Sequence, residues 1–142
     1  MSVELALQKA IVARLRGDAA LLAITGPLAA PATGARVYDN VASGTSTPYV
    51  NVRSVQAVDD GADCVDGQEV FIDLDAWSTD PGKVQASRMA AAIRKSLNFA
   101  PLILDEPYAL LEISHRDTQV DSPSDGITTR ARLSFRALVE SV

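Results

Sequence analysis

Two aspartates, Asp73 and Asp75, are spaced so that they could hold a hard metal ion. They lie two residues apart in an alternating run, which on a β-strand turns both carboxylates to one face. Metal-dependent hydrolases and nucleases use such paired carboxylates. The competing interpretation is electrostatic, because the same face could pair with arginines on a neighbouring strand or a neighbouring subunit. We favour charge pairing and predict no metal site.

The lone histidine and the lone cysteine do not indicate catalysis. His115 lies in a strand-like run with no cysteine or second histidine at a useful spacing, and no G-x-S-x-G motif accompanies it. Cys64 lies among Asp60, Asp63 and Asp66, whose negative charges disfavour the reactive thiolate. No glycine-rich phosphate-binding motif or calcium-loop pattern occurs either. We therefore predict no catalytic residue, no cofactor and no enzymatic activity.

Composition limits the class of protein. The chain has 142 residues, of which 47% are hydrophobic and 22% charged, and this fits one domain over residues 1–142 with a single core. A formal net charge of −5 gives no cationic field for holding a nucleic acid backbone. No apolar run reaches the roughly 20 residues that span a bilayer, and the first residues lack a secretory signal. We expect synthesis in a bacterial cytoplasm, without a membrane partner.

Two long helices and one short helix are predicted. The first begins at a Ser2 N-cap, ends at Gly17 and carries apolar residues at three- or four-residue spacing, namely Val3, Leu7, Ile11 and Leu15. A short helix over 19–24 follows, capped by Asp18. The second long helix starts at Asp80-Pro81-Gly82, with Asp80 as its N-cap, and runs to Leu97.

Alternation predicts the strands. We expect β-like runs at 36–41, 49–58, 69–77, 109–118 and 128–140, and a small-residue surface connection at 27–35. The predicted fold class is α+β, with one antiparallel-type sheet packed on one face by the two long helices. The acidic face of the 69–77 run should meet water or another chain.

The last two strands form a hairpin that is predicted to project. The final strand buries Thr129, Ala131, Leu133, Phe135, Ala137 and Val139. Its partner turns Leu111 and Ile113 inward, but past His115 the same face becomes Asp117 and Gln119. A strand pair without an apolar face to bury is only marginally stable in water, so residues 116–130 are expected to be mobile until a partner binds them. A mobile tip without any role is the alternative.

Several short motifs, taken in order, resemble one protein family. They are Arg16 to Leu21 (RGDAAL) after the first helix, Val37-Tyr38-Asp39, Pro48-Tyr49-Val50, a strand ending at Trp77-Ser78, a helix from Ala86 to Leu97, and Arg132 to Val139 (RLSFRALV). Together they cover nearly the whole chain, and they are similar to the tail-completion, or tail-terminator, proteins of long-tailed bacteriophages and related gene transfer agents.

The resemblance implies a non-enzymatic assembly protein of the virion tail. Members of this family form a ring, typically of six copies, that caps the head-proximal end of the tail tube and meets the head's connector or stopper proteins. DNA would then pass through the channel only as cargo. The candidate contacts with subunits or partners are Arg36, Tyr38, Asp73, Asp75, Arg116, Asp117, Gln119, Asp125, Arg130, Arg132 and Arg136.

Two alternatives remain open at the level of sequence. A small ligand-binding or regulatory α+β module would present a concave pocket and stay a monomer or dimer. A metal-dependent hydrolase would use Asp73 and Asp75.

Overall fold

The protein is described by a computed structural model over residues 2–42, 44–59, 67–122 and 127–141. Its elements in chain order are α1 (Val3–Arg16), α2 (Ala19–Thr25), β1 (Val37–Tyr38), β2 (Tyr49–Asp59), β3 (Gly67–Ser78), α3 (Val84–Leu97), β4 (Tyr108–Asp121) and β5 (Thr129–Ser141). The five strands form one sheet in the order β1-β2-β3-β5-β4. All neighbouring strands are antiparallel except β1 and β2, which are parallel. The predicted α+β class, with its largely antiparallel sheet, is confirmed.

The first two helices begin and end as their caps predict. The Ser2 hydroxyl accepts a hydrogen bond from the Leu5 amide at 3.2 Å, and Gly17 follows the last helical residue of α1. The Asp18 carboxylate accepts from the Leu21 amide at 2.9 Å and caps α2. All four predicted apolar positions of α1 are buried against the sheet.

The third helix starts later than predicted. It begins at Val84 after Lys83, which makes no side-chain capping bond, so the prediction that Asp80 caps it is wrong. Gly82 has φ +77°, a left-handed conformation that cannot form part of a right-handed helix, and this delays the helix start. The body of α3 is as predicted, because Met89, Ile93 and Leu97 are fully buried.

One face of the sheet carries the core. On β3 and β5 the alternating residues of the core face all turn to the helical side of the sheet, as predicted, and are at most 4% exposed. These residues are Val70, Ile72, Leu74, Ala76, Thr129, Ala131, Leu133, Phe135, Ala137 and Val139. Both long helices therefore cover the same side of the sheet, and none of the described helices covers the other side.

Three β-bulges shift the strand faces away from simple alternation. In β2 the register shifts between Val52 and Ser54, so Arg53 and Ser54 both face outward and Val55 returns to the core side. In β4 it shifts between Leu110 and Glu112 and again between His115 and Asp117. Leu111 is consequently 60% exposed, and its predicted inward position is wrong, whereas Ile113 is fully buried as predicted.

The second bulge of β4 also corrects the expectation for the hairpin. Asp117 and Gln119 turn to the outer side, opposite Ser134 and Arg132, and do not continue the core face. Val120 takes the inner position and packs against the core, and pairing continues to Asp121 opposite Arg130. The expected lack of an apolar face beyond His115 is therefore wrong for the strand residues. Residues 123–126, including the candidate contact Asp125, lie outside the described residues.

The connection between α2 and β1 lies mostly on the surface, as predicted, but its end is tightly packed. Gly34 has φ +99°, and a Cβ at this position would lie 2.4 Å from the Arg16 carbonyl oxygen. That close approach allows the Ala35 amide to donate to the same oxygen at 2.9 Å, and Ala35 itself is buried. No described helix is long and apolar enough to cross a bilayer.

Candidate assembly surface

The sheet side that the helices leave uncovered is the main candidate surface, and we refer to it as the outer face. It is formed by the side chains that alternate with the buried ones on β2 to β5, together with those that the bulges turn outward. It includes Asn51, Arg53, Ser54, Glu69, Phe71, Asp73, Asp75, Trp77, Arg116, Asp117, Gln119, Asp121, Arg130, Arg132, Ser134 and Arg136.

Asp73 and Asp75 do lie together on the outer face, but both carboxylates already have partners. Asp73 accepts hydrogen bonds from the hydroxyls of Ser54 at 2.8 Å and Ser134 at 2.6 Å. Asp75 accepts one from Arg53 Nε at 3.1 Å. Within the described ranges, no group of three or more histidine, cysteine or acidic residues is placed to hold a metal ion. The arrangement fits cross-strand charge pairing, with Arg53 supplying the cation.

Asp75 is the buried member of this cluster. The residue is only 3% exposed, although its carboxylate was expected to meet water or another chain. Burial raises the pKa of Asp75 above its ordinary value, and the neighbouring Arg53 guanidinium opposes that rise. Its carboxylate is therefore a structural group inside the outer face, held by Arg53.

The arginines of β5 pair with β4 and pack on β3. Arg130 and Arg132 place their Nε atoms 3.6 and 4.0 Å from the two carboxylate oxygens of Asp121. These distances are ionic contacts without a well-formed hydrogen bond. The Arg130 guanidinium also lies 5.2 Å from the centre of the Trp77 ring, whose indole N–H donates to Asn51 Oδ1 at 3.0 Å.

The other end of the outer face repeats this pattern. Arg136 forms an ion pair with Glu69 across β5 and β3. Arg116, which a bulge turns outward, lies 4.8 Å from the centre of the Phe71 ring. Each of the five described arginines of the outer face thus has an anionic or aromatic partner within the chain. The outer face therefore carries both charges, and its ion pairs and cation–π contacts fix the side chains in place.

Arg36 and Tyr38 lie at the opposite edge of the sheet. The Arg36 guanidinium donates to the carbonyls of Ser46 and Pro48, the latter at 3.2 Å, and so ties the connection between β1 and β2 to the start of β2. The Tyr38 ring meets Tyr49 edge to face with centroids 6.0 Å apart. Both residues are bound within the chain and shape this edge.

His115 is a packed residue. Its ring meets the buried Phe135 edge to face at 5.4 Å, and Nε2 lies 2.6 Å from the Thr118 hydroxyl. Burial lowers its pKa below the ordinary value, with a further lowering from Arg94. A packing role was the expectation, and the contacts agree with it.

A groove of about 520 Å³ lies on the helical side, between α3 and the inner side of β4. Its lining is Ser87, Ala90, Ala91, Arg94, Lys95, Asn98, Thr118 and Val120. Helix α3 has three cations, Arg88, Arg94 and Lys95, and no acidic residue. In the part of the chain that the structure describes, neither Arg94 nor Lys95 has a carboxylate oxygen within 4 Å.

Sequence reasoning found only part of this surface. It placed Asp73, Asp75, Arg130, Arg132 and Arg136 on one side of the sheet correctly. It missed Arg53 and Asp121, which pair with them. A signal existed for Arg53: the apolar phase of β2 changes from Val50 and Val52 to Val55 and Ala57, which requires a bulge between them. The basic groove was missed because it forms only where α3 meets β4.

Comparisons with known proteins agree with this geometry. A family model described as tail completion protein gp17 matches residues 9–140. A chain from the virion of a native gene transfer agent particle is 27% identical, with a TM-score of 0.86 over 99% of this chain and 98% of that one. The gp17 protein of bacteriophage SPP1 shares the fold, with a TM-score of 0.59 and 17% identity over 98% of this chain and 90% of that one. No curated protein sequence matches.

The family match covers most of the chain, and the similarity to a gene transfer agent virion chain extends over nearly all of it. Together they assign a structural role in the particle. The outer face agrees with this role, because its carboxylates at Glu69, Asp73, Asp75 and Asp121 are paired with arginines within the chain. The chain belongs to the tail completion protein gp17 family.

Proposed function

We propose that six copies of this protein form a closed ring that caps the head-proximal end of a tail tube and joins it to the head connector or stopper protein. The ring would end tube growth and present a docking surface to the head. Its job is mechanical, without a catalytic step or a cofactor, and DNA crosses it only as cargo. The parent particle is a phage tail or a gene transfer agent, assembled in the bacterial cytoplasm.

One observation supports the proposed ring: the chain has two uncovered surfaces of different chemistry. The outer face mixes both charges and includes the rings of Phe71 and Trp77, whereas the helical side carries α3, whose charged residues are all cations. A ring of identical subunits needs two different patches that meet head to tail and close by rotation. Two unlike surfaces on one small domain support that kind of contact more than a symmetric dimer.

The eleven candidate contacts divide into two groups under this proposal. Nine belong to the outer face or to the connection between β4 and β5; eight of them would meet a neighbouring copy or a partner, and the buried Asp75 would act by holding Arg53. The nine are Asp73, Asp75, Arg116, Asp117, Gln119, Asp125, Arg130, Arg132 and Arg136. Arg36 and Tyr38 lie at the other edge, where they would act by shaping the connection between β1 and β2 for the tube or the connector.

Inactivating the gene in the strain that makes the particle tests this function. We expect heads and tails that remain separate, with tails of irregular length, and rescue when the gene is supplied in trans. Electron microscopy of the particles reads out both defects. Normal, joined particles of constant tail length without the protein would contradict the proposal.

A further inference from the structure

The groove between α3 and β4 has the features of a binding site for an acidic chain segment. Its lining includes the cations Arg94 and Lys95, the apolar side chains of Ala90, Ala91 and Val120, and the polar side chains of Ser87, Asn98 and Thr118. Neither cation forms an ion pair within the described residues, in contrast to Lys9, Arg53, Arg130, Arg132 and Arg136. Cations without an ion pair beside small apolar side chains favour an anionic partner with small side chains.

The strand edge beside this groove is open. Near its middle the outer edge of β4 is covered, because Phe99 N donates to Ile113 O at 2.8 Å and His115 N donates to Asn98 Oδ1 at 2.9 Å. Beyond His115, up to Asp121, no described backbone group outside β5 bonds to the backbone of β4, and the His115 side chain bonds to the backbone of Asp117. The other backbone groups at this edge are free to pair with a bound segment.

We infer that this groove binds residues 59–66 of a neighbouring copy of the chain, an inference that rests on the proposed ring. That segment reads DDGADCVD and contains four aspartates without a cation, together with only small uncharged residues. Its charge is complementary to Arg94 and Lys95, and its small side chains suit the apolar lining of Ala90, Ala91 and Val120.

The part of the groove at Thr118 must be filled from another copy, because the segment cannot reach it within its own chain. The segment joins Asp59 of β2 to Gly67 of β3, and Gly67 lies opposite Glu140 of β5. The groove residue Thr118 lies opposite Leu133, seven residues away along β5 and therefore about 23 Å distant. A segment of eight residues fixed at both ends extends only about 14 Å from its anchors. The contact is therefore head to tail, as a closed ring requires.

A double-stranded nucleic acid is the less favoured occupant. The groove offers two cations beside apolar side chains, and the chain as a whole has a net charge of −5. Non-specific duplex binding needs many cations that neutralise phosphates together. Duplex binding by the groove would overturn the inference.

Cys64, the only cysteine of the chain, makes the contact testable by cross-linking, since it lies inside the acidic segment. The variant Ala91→Cys puts a second thiol on the exposed side of α3 in the groove. Under mild oxidation we expect a ladder of disulfide-linked multimers on a non-reducing gel, which disappears on reduction. The matched control is Ala23→Cys, an exposed alanine on α2, which should give no ladder. Adding Cys64→Ser to Ala91→Cys should abolish it.

Charge reversal provides a second test of the contact between the groove and residues 59–66. We expect Arg94→Glu with Lys95→Glu to weaken assembly by roughly tenfold or more, and Asp60→Lys with Asp63→Lys in the same chain to restore it. If the wild type forms rings while Ala91→Cys gives no ladder and the charge reversal assembles normally, the inference is wrong and the proposed function stands. If the charge reversal impairs only binding to a duplex DNA fragment, the groove serves nucleic acid and the inference is also wrong. A wild type that stays monomeric would overturn the proposed function itself.

Discussion

Arg53 donates its Nε hydrogen to Asp75 Oδ1 at 3.1 Å from a bulged position that has no partner in the strand register. The bulge turns both Arg53 and Ser54 outward, where they reach Asp75 and Asp73, and it brings Val55 back to the core side. One extra residue in β2 thus satisfies two carboxylates and preserves the apolar face.

Replacing Arg53 with methionine should destabilise the protein by about 1–3 kcal/mol at pH 7, because the buried Asp75 carboxyl group would lose its hydrogen-bond donor. Denaturant titration of the variant measures this loss. In the background of Asp75→Asn the same change should cost much less. An equal cost in both backgrounds would show that Arg53 acts through packing alone.

The pH dependence of stability should carry the signature of Asp75. Its pKa is raised on folding above the ordinary value of 3.8, so its carboxyl group favours the folded state below that value. This contribution is lost as the pH rises through the folded-state pKa. The free energy of unfolding of the wild type should therefore fall relative to Asp75→Asn as the pH is raised from about 4 to 7. A difference that stays constant over this range would contradict the shift.

The first bulge of β4 predicts opposite results for two nearby residues. Leu111→Ala should change stability by less than about 0.5 kcal/mol, because the side chain is largely exposed. Ile113→Ala should cost about 2–5 kcal/mol, because it empties a fully buried site. Thermal or denaturant unfolding of the two variants is the measurement. A larger loss at Leu111 would mean that the strand keeps simple alternation.

Gly34 and Gly44 allow the cost of a positive φ to be measured separately from the cost of a steric clash at Cβ. Both have a positive φ, at +99° and +82°. Only Gly34 lacks room for a Cβ, which would collide with the Arg16 carbonyl oxygen. Gly34→Ala should therefore cost more than about 2 kcal/mol, and Gly44→Ala about 1 kcal/mol. Equal costs would show that the close approach to Arg16 is not a constraint.

The hairpin tip provides a functional prediction. Replacing residues 123–126 with a neutral linker of equal length should leave the melting temperature unchanged, since β4 and β5 pair up to Asp121 and Arg130. Under the proposed function, particles with this variant should fail to join heads to tails. Electron micrographs of the particles read out the result, and normally joined particles would show that the tip has no part in joining.

Elements whose cause is local were predictable from the sequence. The caps at Ser2 and Asp18 lie within three residues of the amides they bind, and the faces of β3 and β5 follow an unbroken period of two. Leu111, at the first bulge of β4, and Asp117 and Gln119, beyond the second, were not placed correctly, because one extra residue exchanges the two faces of a strand. The predicted start of α3 was also wrong. Gly82 has a positive φ, which prevents the helix from starting at the Asp80 N-cap.

The candidate surface was predictable only where it depends on one strand. Asp73 and Asp75 share a face by alternation alone. Their partners Arg53 and Ser134 come from two different strands, and the pairing follows from register. The groove of Arg94 and Lys95 depends on how α3 lies against β4, which no local pattern encodes.

The mass of the protein in solution tests the central claim most directly. Light scattering on the purified chain should show a closed assembly of about 90 kDa, six times the 15.0 kDa chain, and negative-stain microscopy should show ring-shaped particles, which bind the tube end when the tail tube is added. A species that remains at one or two chains at high concentration, even with the tube present, would contradict the account.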